Sequence, residues 1–512
     1  MNGAESLVRT LIANDVDTCF ANPGTSEMHF VAALDRVPGI RCVLALFENV
    51  ATGAADGYAR LARKPAATLL HCGPGLANGL SNLHNARRAR VPIVNIVGDQ
   101  ATYHRPLDPP LTADTEGWAR SVSSWTRVAQ RAETVGSDAA AAVSAARSRS
   151  EIATLILPSD ASWNEGGIPA GRAPVASPSL VAPDTITSCA RVLRSGEPVA
   201  IMIGGTALEQ TGLEEAYRIA TATGAKLLGP TFNRLIQRGR GRRPIKLLPY
   251  LIDNAIATLA DIRHLILVGC PAPVGFFAYP GKPNSLLPPG ATVHVLARPE
   301  DAAVEALTAL ATELSAPIPS PSPRSQSPEP AIGRLTSAAV AQTLAALIPE
   351  DAIVVDEGVS FGFAFYPGTH DAAPHDWLQV CGGSIGEGLP LATGAAIGAP
   401  GRRVINLEGD GSALYTVQAL WTQAREALDV TTVILGNRKY AILEAELNKV
   451  GATPGPTALD LFDLRKPDLH WVDLARGQGV EAAQAQTLEQ LADLLTMSNR
   501  RKGPFLIELC VA

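Results

Sequence analysis

The chain has 512 residues, enough for about three domains of ordinary size. Hydrophobic residues make up 46% and charged residues 18%, a balance suited to a folded globular protein. A formal charge of −6 gives no basis for nucleic acid or an acidic membrane as partner, and no apolar run nears the ~20 residues that span a bilayer.

The first fifteen residues lack a basic start followed by an apolar run, so they read as an amphipathic helix and not as a signal peptide. The seven cysteines contain no C-x-x-C pair, which fits a reduced, cytoplasmic protein. Two stretches rich in proline, serine and small residues, 163–183 and 316–330, divide the chain. They leave segments 1–165, 183–315 and 331–512. Each alternates strand and helix patterns, so the expected class is α/β, with three doubly wound parallel-sheet domains.

In the first segment, 16–21 reads as a strand that ends in Asn22-Pro23-Gly24-Thr25-Ser26-Glu27, a turn that Thr25 or Ser26 can cap. Strand 42–47 delivers Glu48 at its carboxyl end, and helix 49–60 follows; an acid there suits the helix dipole. Strand 67–70 leads into a loop, His71-Cys72-Gly73-Pro74-Gly75-Leu76-Ala77-Asn78-Gly79. Arg87, Arg88 and Arg90 read as a solvated face or subunit contact. His104 and Arg105, beyond strand 92–97, are secondary pocket candidates.

In the middle segment, strand 198–203 enters Gly204-Gly205-Thr206, and the next helix stops near Gly224. Strand 260–269 follows. No full G-x-G-x-x-G with a trailing acid is present, so dinucleotide binding is not expected. Gly275-Phe276-Phe277-Ala278-Tyr279 reads as core packing in preference to an aromatic wall.

In the third segment, strand 353–355 precedes Asp356-Glu357-Gly358-Val359-Ser360. The small residues of Gly382-Gly383-Ser384-Ile385-Gly386 let backbone approach a ligand closely. Strand 403–407, the turn Gly409-Asp410-Gly411-Ser412, helix 416–428 and strand 430–435 form a β-α-β unit. Its parallel strands put Asp410 and Asn437 at one sheet edge. A carboxylate and an amide oxygen are hard ligands for magnesium, and the turn's N–H groups can face an anion.

The GDG turn, twenty-five residues and then Asn437 resemble the thiamin diphosphate (ThDP) and Mg2+ motif of the ThDP-dependent decarboxylase and acetolactate synthase superfamily. The resemblance covers nearly the whole chain. It implies that Asp410, the Asn437 side chain and the Lys439 carbonyl hold Mg2+. Gly436 stands where that motif has another asparagine. Gly409, Gly411, Ser412 and Ser360 would lie at the diphosphate. Gly383 would accept the 4′-amino hydrogen, and Ile385 would bend the cofactor. FENVATGAADGYAR resembles the segment carrying the activating glutamate, which implies that Glu48 shares a proton with the aminopyrimidine ring; Phe47 replaces the usual preceding histidine. The His71–Gly79 stretch is similar to the loop that packs over the pyrimidine, so Gly75 and Asn78 are cofactor contacts.

By the same resemblance, His71 and Thr25 match the histidine and hydroxyl of benzoylformate decarboxylase and are catalytic candidates. Gly24, Tyr440 and Leu443 would line the substrate pocket. The central domain carries FAD in acetolactate synthases; FAD is not expected here. Gly275–Tyr279 lacks the histidine of benzoylformate decarboxylase, and Leu443 stands where pyruvate decarboxylases have glutamate. The implied activity is action on a 2-oxo acid, with CO2 loss and either carboligation, as in acetolactate synthase, or aldehyde release, as in benzoylformate decarboxylase. A catalytically silent ThDP-binding homologue is the alternative of another class. The implied assembly is a homodimer or homotetramer with active sites at the subunit interface.

Overall fold

Runs rich in valine, isoleucine and leucine, separated by helical stripes, form three sheets in a computed structural model that describes residues 1–323 and 325–511. Arg324, inside the expected linker 316–330, and Ala512, at the end of the expected third segment, lie outside the described residues. No described helix is long and apolar enough to cross a membrane.

The first sheet comprises β1 (Thr18–Asn22), β2 (Arg41–Leu44), β3 (Ala66–Leu70), β4 (Ile93–Asp99), β5 (Trp125–Val128) and β6 (Ile152–Pro158). All pairings are parallel, in the order β2-β1-β3-β4-β6-β5. The central strands β3, β4 and β6 are buried throughout, as expected where helices cover both faces.

The next six strands are β7 (Val199–Ile203), β8 (Lys226–Gly229), β9 (Ile236–Arg238), β10 (Lys246–Leu247), β11 (His264–Val268) and β12 (Thr292–Ala297). Five form a parallel sheet ordered β10-β8-β7-β11-β12. Gly224 closes the Gln210–Thr223 helix in the left-handed region, with φ 72°, where the sequence puts the stop.

The third sheet adds β13 (Ala352–Glu357), β14 (His375–Gln379), β15 (Val404–Gly409), β16 (Val430–Gly436), β17 (Glu481–Ala485) and β18 (Phe505–Cys510). Its order is β17-β18-β16-β15-β13-β14-β9, parallel except for β9, which runs antiparallel to β14. The segments therefore do not each keep their own strands. Arg238 pins β9 in place: its buried guanidinium stacks 3.9 Å from the Tyr366 ring and 4.9 Å from Trp377, and donates to Thr369 at 3.0 Å. A three-residue strand carries too little periodicity to be read from sequence.

Two local expectations change. The His71–Gly79 stretch is not a loop: a helix, Cys72–Ala89, starts inside it with His71 as its N-cap. The expected helix 416–428 shrinks to Ala419–Arg425: the expected turn is itself helical over Asp410–Ala413, and a tight turn, Leu414–Thr416, intervenes. The Thr416 hydroxyl donates to the Gly386 carbonyl at 2.9 Å, a tertiary bond that overrides the apolar stripe.

The Glu48–Ala62 and Gly388–Gly398 helices lock the first sheet layer to the third. A Cβ at Gly57 would lie 2.0 Å from the Leu391 carbonyl oxygen, and one at Gly394 1.8 Å from that of Ala54, so only glycine allows this approach. Beside the seam, Arg60 grips Asp56 at 2.6 and 2.8 Å and reaches Glu387 at 3.2 Å, all fully buried. Glu357 and Glu408 face each other across β13 and β15. Burial pushes the Glu357 carboxyl up to about 7, and pushes Glu387 and Glu408 well above the usual carboxylate range. Glu357 accepts the Gly386 N–H at 2.6 Å and so anchors the glycine turn.

Candidate active site

The first half of the site is built at the carboxyl ends of β1, β2 and β3. Glu27 is 1% exposed and accepts the Gly24 N–H at 2.8 Å. His71 Nδ1 lies 2.9 Å from Glu27 Oε2. Since a carboxylate accepts, this contact puts a proton on Nδ1 and leaves Nε2 as the ring's other functional atom. Gly24 makes room for the imidazole: a Cβ there would sit 2.2 Å from the ring. Gly98 does the same for Glu27, whose Oε1 would be 1.6 Å from an added Cβ.

Ser26 Oγ lies 3.2 Å from His71 Nδ1 and 3.1 Å from Cys72 Sγ. Thr25, the expected hydroxyl, is exposed, so Ser26 is the hydroxyl brought to His71. Neither caps the turn; Gly24 is the N-cap, and the Glu27 carboxylate supplies the bond. Burial, with the Glu27 and Asp99 charges, pushes the Cys72 thiol up to about 11 and keeps it neutral. Glu27, His71 and Cys72 are the one group of metal-capable acid, histidine and cysteine side chains among the described residues.

Glu48 opens the Glu48–Ala62 helix and is 8% exposed. Asn78 donates to its Oε2 at 3.0 Å. A Cβ at Gly75 would lie 3.0 Å from Glu48 Oε1 and 3.4 Å from His71 Cβ. Glu48, Gly75, Asn78 and His71 are thus neighbours. Arg105 instead pairs with Asp99 at 2.9 Å, and His104 is exposed. Arg87 and Arg88 are exposed, while Arg90 pairs with Glu300 at 3.4 Å.

The second half lies at the carboxyl ends of β15 and β16, whose register pairs Gly409 with Leu435. Asp410 is 2% exposed. Its Oδ1 accepts the Gly411 N–H at 2.9 Å and its Oδ2 accepts that of Arg438 at 2.7 Å. Burial raises the Asp410 carboxyl above its usual value, against the pull of these donors. Asn437 Oδ1 accepts the Lys439 N–H at 3.1 Å, and Glu444 holds the Lys439 ammonium at 2.8 Å. The carbonyl oxygen of Lys439 is its remaining polar atom, a lone pair that a cation can take.

Gly436 has a structural replacement for a missing asparagine. Arg438, at φ 58°, folds its guanidinium back to 3.7 Å from where a Gly436 Cβ would be. It pairs with Asp468 at 3.1 Å and with buried Glu508, and donates to the Leu469 carbonyl at 2.9 Å. The loop is held by this arginine, which the sequence did not single out. The Tyr440 ring covers Gly411, 2.4 Å from a Cβ placed there. Ser412 is buried, and its hydroxyl and Val359 of the 358–360 loop lie 3.3 and 3.7 Å from where a Gly409 Cβ would be.

Between the halves runs the glycine turn with half-buried Ile385. Asn85 fastens it, donating to the Ser384 carbonyl at 2.7 Å and accepting the Ser384 N–H at 3.2 Å. Gly383 has φ 76°, and the Phe276 ring would be 2.3 Å from a Cβ there. Phe276 packs edge-on with Phe277 at 4.8 Å and lies 5.4 Å from Tyr250, which stacks 6.2 Å from Phe363. Phe276 is 40% and Phe277 56% exposed, which corrects the core-packing expectation: these rings form an aromatic wall. Tyr279 donates to Glu446 at 2.6 Å, tying the wall to the Ala441–Lys449 helix that carries Leu443, itself 43% exposed.

These residues suit an anionic, divalent-metal-bound cofactor. Asp410, Asn437 and the Lys439 carbonyl are all oxygen donors, the set that Mg2+ takes with phosphate oxygens. A cation would also offset the unfavourable burial of the Asp410 charge. Gly24, Gly75, Gly383 and Gly411 let the His71, Glu48, Phe276 and Tyr440 side chains close in against the backbone. Within one chain, no hydrogen bond among the described residues joins Glu48, Asn78 or His71 to Asp410, Asn437 or Lys439.

Residues 1–120 match the family described as thiamine pyrophosphate enzyme, N-terminal TPP binding domain, and residues 365–509 match its C-terminal TPP binding domain. The chain is 52% identical, over 100% of its length and 99% of the relative's, to IlvX of Mycobacterium tuberculosis, provisionally named an acetolactate synthase large subunit. It is 30% identical to benzoylformate decarboxylase of Pseudomonas aeruginosa, across 96% of this chain and 95% of that one. Among solved structures it resembles a ThDP-dependent 4-hydroxybenzoylformate decarboxylase of Rhodococcus jostii RHA1, with TM-score 0.86 and 25% identity over 100% and 99% of the two chains.

Proposed function

This chain belongs to the thiamine pyrophosphate enzymes, as a ThDP-dependent 2-oxo acid decarboxylase or carboligase, and from that premise we propose that it decarboxylates a 2-oxo acid with a bulky aromatic side chain and releases the aldehyde. The observation that carries this reading is His71 held by buried Glu27 beside Glu48. Aldehyde release needs a proton delivered where CO2 has left; an imidazole held by Glu27 through Nδ1–H can take a proton from solvent at Nε2, as imidazolium, and hand that proton on.

ThDP, when bound, supplies the carbon nucleophile and the electron sink for CO2 loss. Glu48 is the acid that shares a proton with its aminopyrimidine ring, and Asn78 orients that carboxyl. Asp410, Asn437 and the Lys439 carbonyl hold Mg2+, with Ser360, Gly409, Gly411 and Ser412 at the diphosphate. Gly383 and Ile385 position the cofactor's two rings. The wall of Phe276, Phe277 and Tyr250 gives the substrate side chain an apolar, aromatic face and excludes water. Gly24, Tyr440 and Leu443 complete the pocket.

Two copies would be required, the Glu48 half of one serving the Asp410 half of the other. Membership of a family whose sites form between subunits supports this homodimer or a tetramer built from it, while within one chain the two layers meet through the Glu48–Ala62 and Gly388–Gly398 helices. Seven free cysteines support a reducing, cytoplasmic setting.

Leu443 favours one second reading. An apolar residue there supplies no carboxyl proton donor on that side of the pocket, which would suit transfer to an acceptor carbonyl as in acetolactate synthase. A panel of aliphatic and aryl 2-oxo acids, with and without acceptor aldehyde and analysed for CO2, aldehyde and ketol, decides. Aldehyde from aryl substrates supports the first reading; ketol from pyruvate contradicts it in favour of the second.

A further inference from the structure

β1 and β2 run parallel and in register, and the register sets Cys19 opposite Cys42. Hydrogen-bonded strands lie about 4.8 Å apart, within the Cα span that a disulfide bridges. Side chains at one register position leave a parallel pair on the same face. The neighbouring pair, Phe20 and Val43, is buried on the opposite face. Cys19 is fully buried with Leu7, Val16 and Ala21, whereas Cys42, on the edge strand, is exposed. An exposed cysteine and a buried one thus lie side by side.

The two thiols also interact. The neighbouring Cys19 thiol lowers the Cys42 thiol below its ordinary value despite some burial, and the same proximity, with burial, holds Cys19 well above. The exposed sulfur is therefore the readier nucleophile and the buried one stays a protonated reserve.

We propose that Cys19 and Cys42 form a reversible disulfide in response to hydrogen peroxide or an alkyl hydroperoxide. The Cys42 thiolate attacks the terminal peroxide oxygen; the O–O bond breaks, hydroxide (or alkoxide, from an alkyl hydroperoxide) leaves and is protonated to water (or the alcohol), and Cys42 becomes a sulfenic acid. The Cys19 sulfur then attacks the Cys42 sulfur. The S–S bond forms, the S–O bond breaks, and the departing hydroxide takes the Cys19 proton as a second water. With hydrogen peroxide, two thiols give one disulfide and two waters, and two electrons pass from sulfur to peroxide.

Strand spacing makes this bond labile. Facing Cβ atoms must close from about 4.8 Å towards 3.8 Å, against the ladder that holds the strands apart. A strained bridge is readily reduced, which is the behaviour of a switch. It also sits at the root of the site: β1 continues into Gly24–Glu27, and β2 leads to Glu48. Pinching the two strands moves both, so the oxidised chain turns over more slowly; this last consequence alone rests on the proposed function.

The experiment is peptide mapping of the folded, full-length protein after mild hydrogen peroxide, with thiols alkylated before digestion. The expected result is a Cys19–Cys42 linked peptide with a mass loss of about 2 Da, reversed by dithiothreitol and absent in Cys42→Ser. Cys19→Ser should instead carry a dimedone-trapped sulfenic acid at Cys42. Oxidation at other cysteines with these two still alkylated, Cys42–Cys42 dimers in place of the internal link, or an unmodified Cys42 in Cys19→Ser would each overturn the proposal. None of these readouts depends on cofactor loading or turnover.

Discussion

His71 Nδ1 stands 2.9 Å from Oε2 of Glu27, a carboxylate that is 1% exposed and takes a second bond from the Gly24 amide. That contact fixes ring orientation and tautomer together. Glu27→Gln keeps the shape but makes the accepting oxygen interchangeable with a donor. We expect kcat to fall roughly ten- to a hundredfold with cofactor affinity unchanged. Steady-state kinetics paired with ThDP titration separates this from a folding defect.

Glu48→Gln removes the ionisable proton carrier while leaving Asn78 a partner. Turnover is expected to drop by on the order of 10²–10⁴. Activity near wild type in purified, cofactor-loaded mutant would refute the activating role. The control is the circular dichroism spectrum, which should not change.

The Arg438 anchor makes a separate prediction. Arg438→Met keeps its amide bond to Asp410 but loses the ties to Glu508, Asp468 and Leu469. The metal loop should loosen, weakening Mg2+-dependent ThDP binding by roughly tenfold. Calorimetric titration at fixed Mg2+ measures it.

Glu357 sets a pH dependence. Its carboxyl is raised to about 7 in the fold, so the native chain holds this proton more tightly than the unfolded one. Its contribution is complete below the ordinary glutamate value and is lost as pH rises through about 7. In urea unfolding, the advantage of wild type over Glu357→Gln should therefore be larger near about pH 5 than near about pH 8.

Phe276→Ala opens the wall above Gly383. KM for aryl 2-oxo acids should rise roughly tenfold, with a smaller effect on pyruvate. Equal effects on both would mean that the wall does not read the side chain.

Much of this was legible in the sequence because turn chemistry and strand ends are local. Asp410 reaches the 437–439 loop, through the Arg438 amide, because two adjacent parallel strands end side by side, and Gly224 stops its helix through its own conformational freedom. Other features depend on partners far along the chain. The Thr25–Ser26 choice turned on which hydroxyl faces His71, a matter of a single residue's rotation about the turn. Glu27 drew no role from the sequence because its surroundings, Gly98 and His71, lie far along the chain. Arg438 and Arg238 act through residues about seventy and one hundred and thirty positions away. The aromatic run at Phe276 has no periodicity to distinguish a wall from a core.

The most direct test of the account is calorimetric titration of ThDP into the purified protein with and without Mg2+, repeated on Asp410→Asn. The account predicts saturable, Mg2+-dependent binding by the wild type, weakened at least a hundredfold, by roughly 3 kcal/mol, in Asp410→Asn. Absence of binding with Mg2+ supplied, or equal binding by Asp410→Asn, would contradict it.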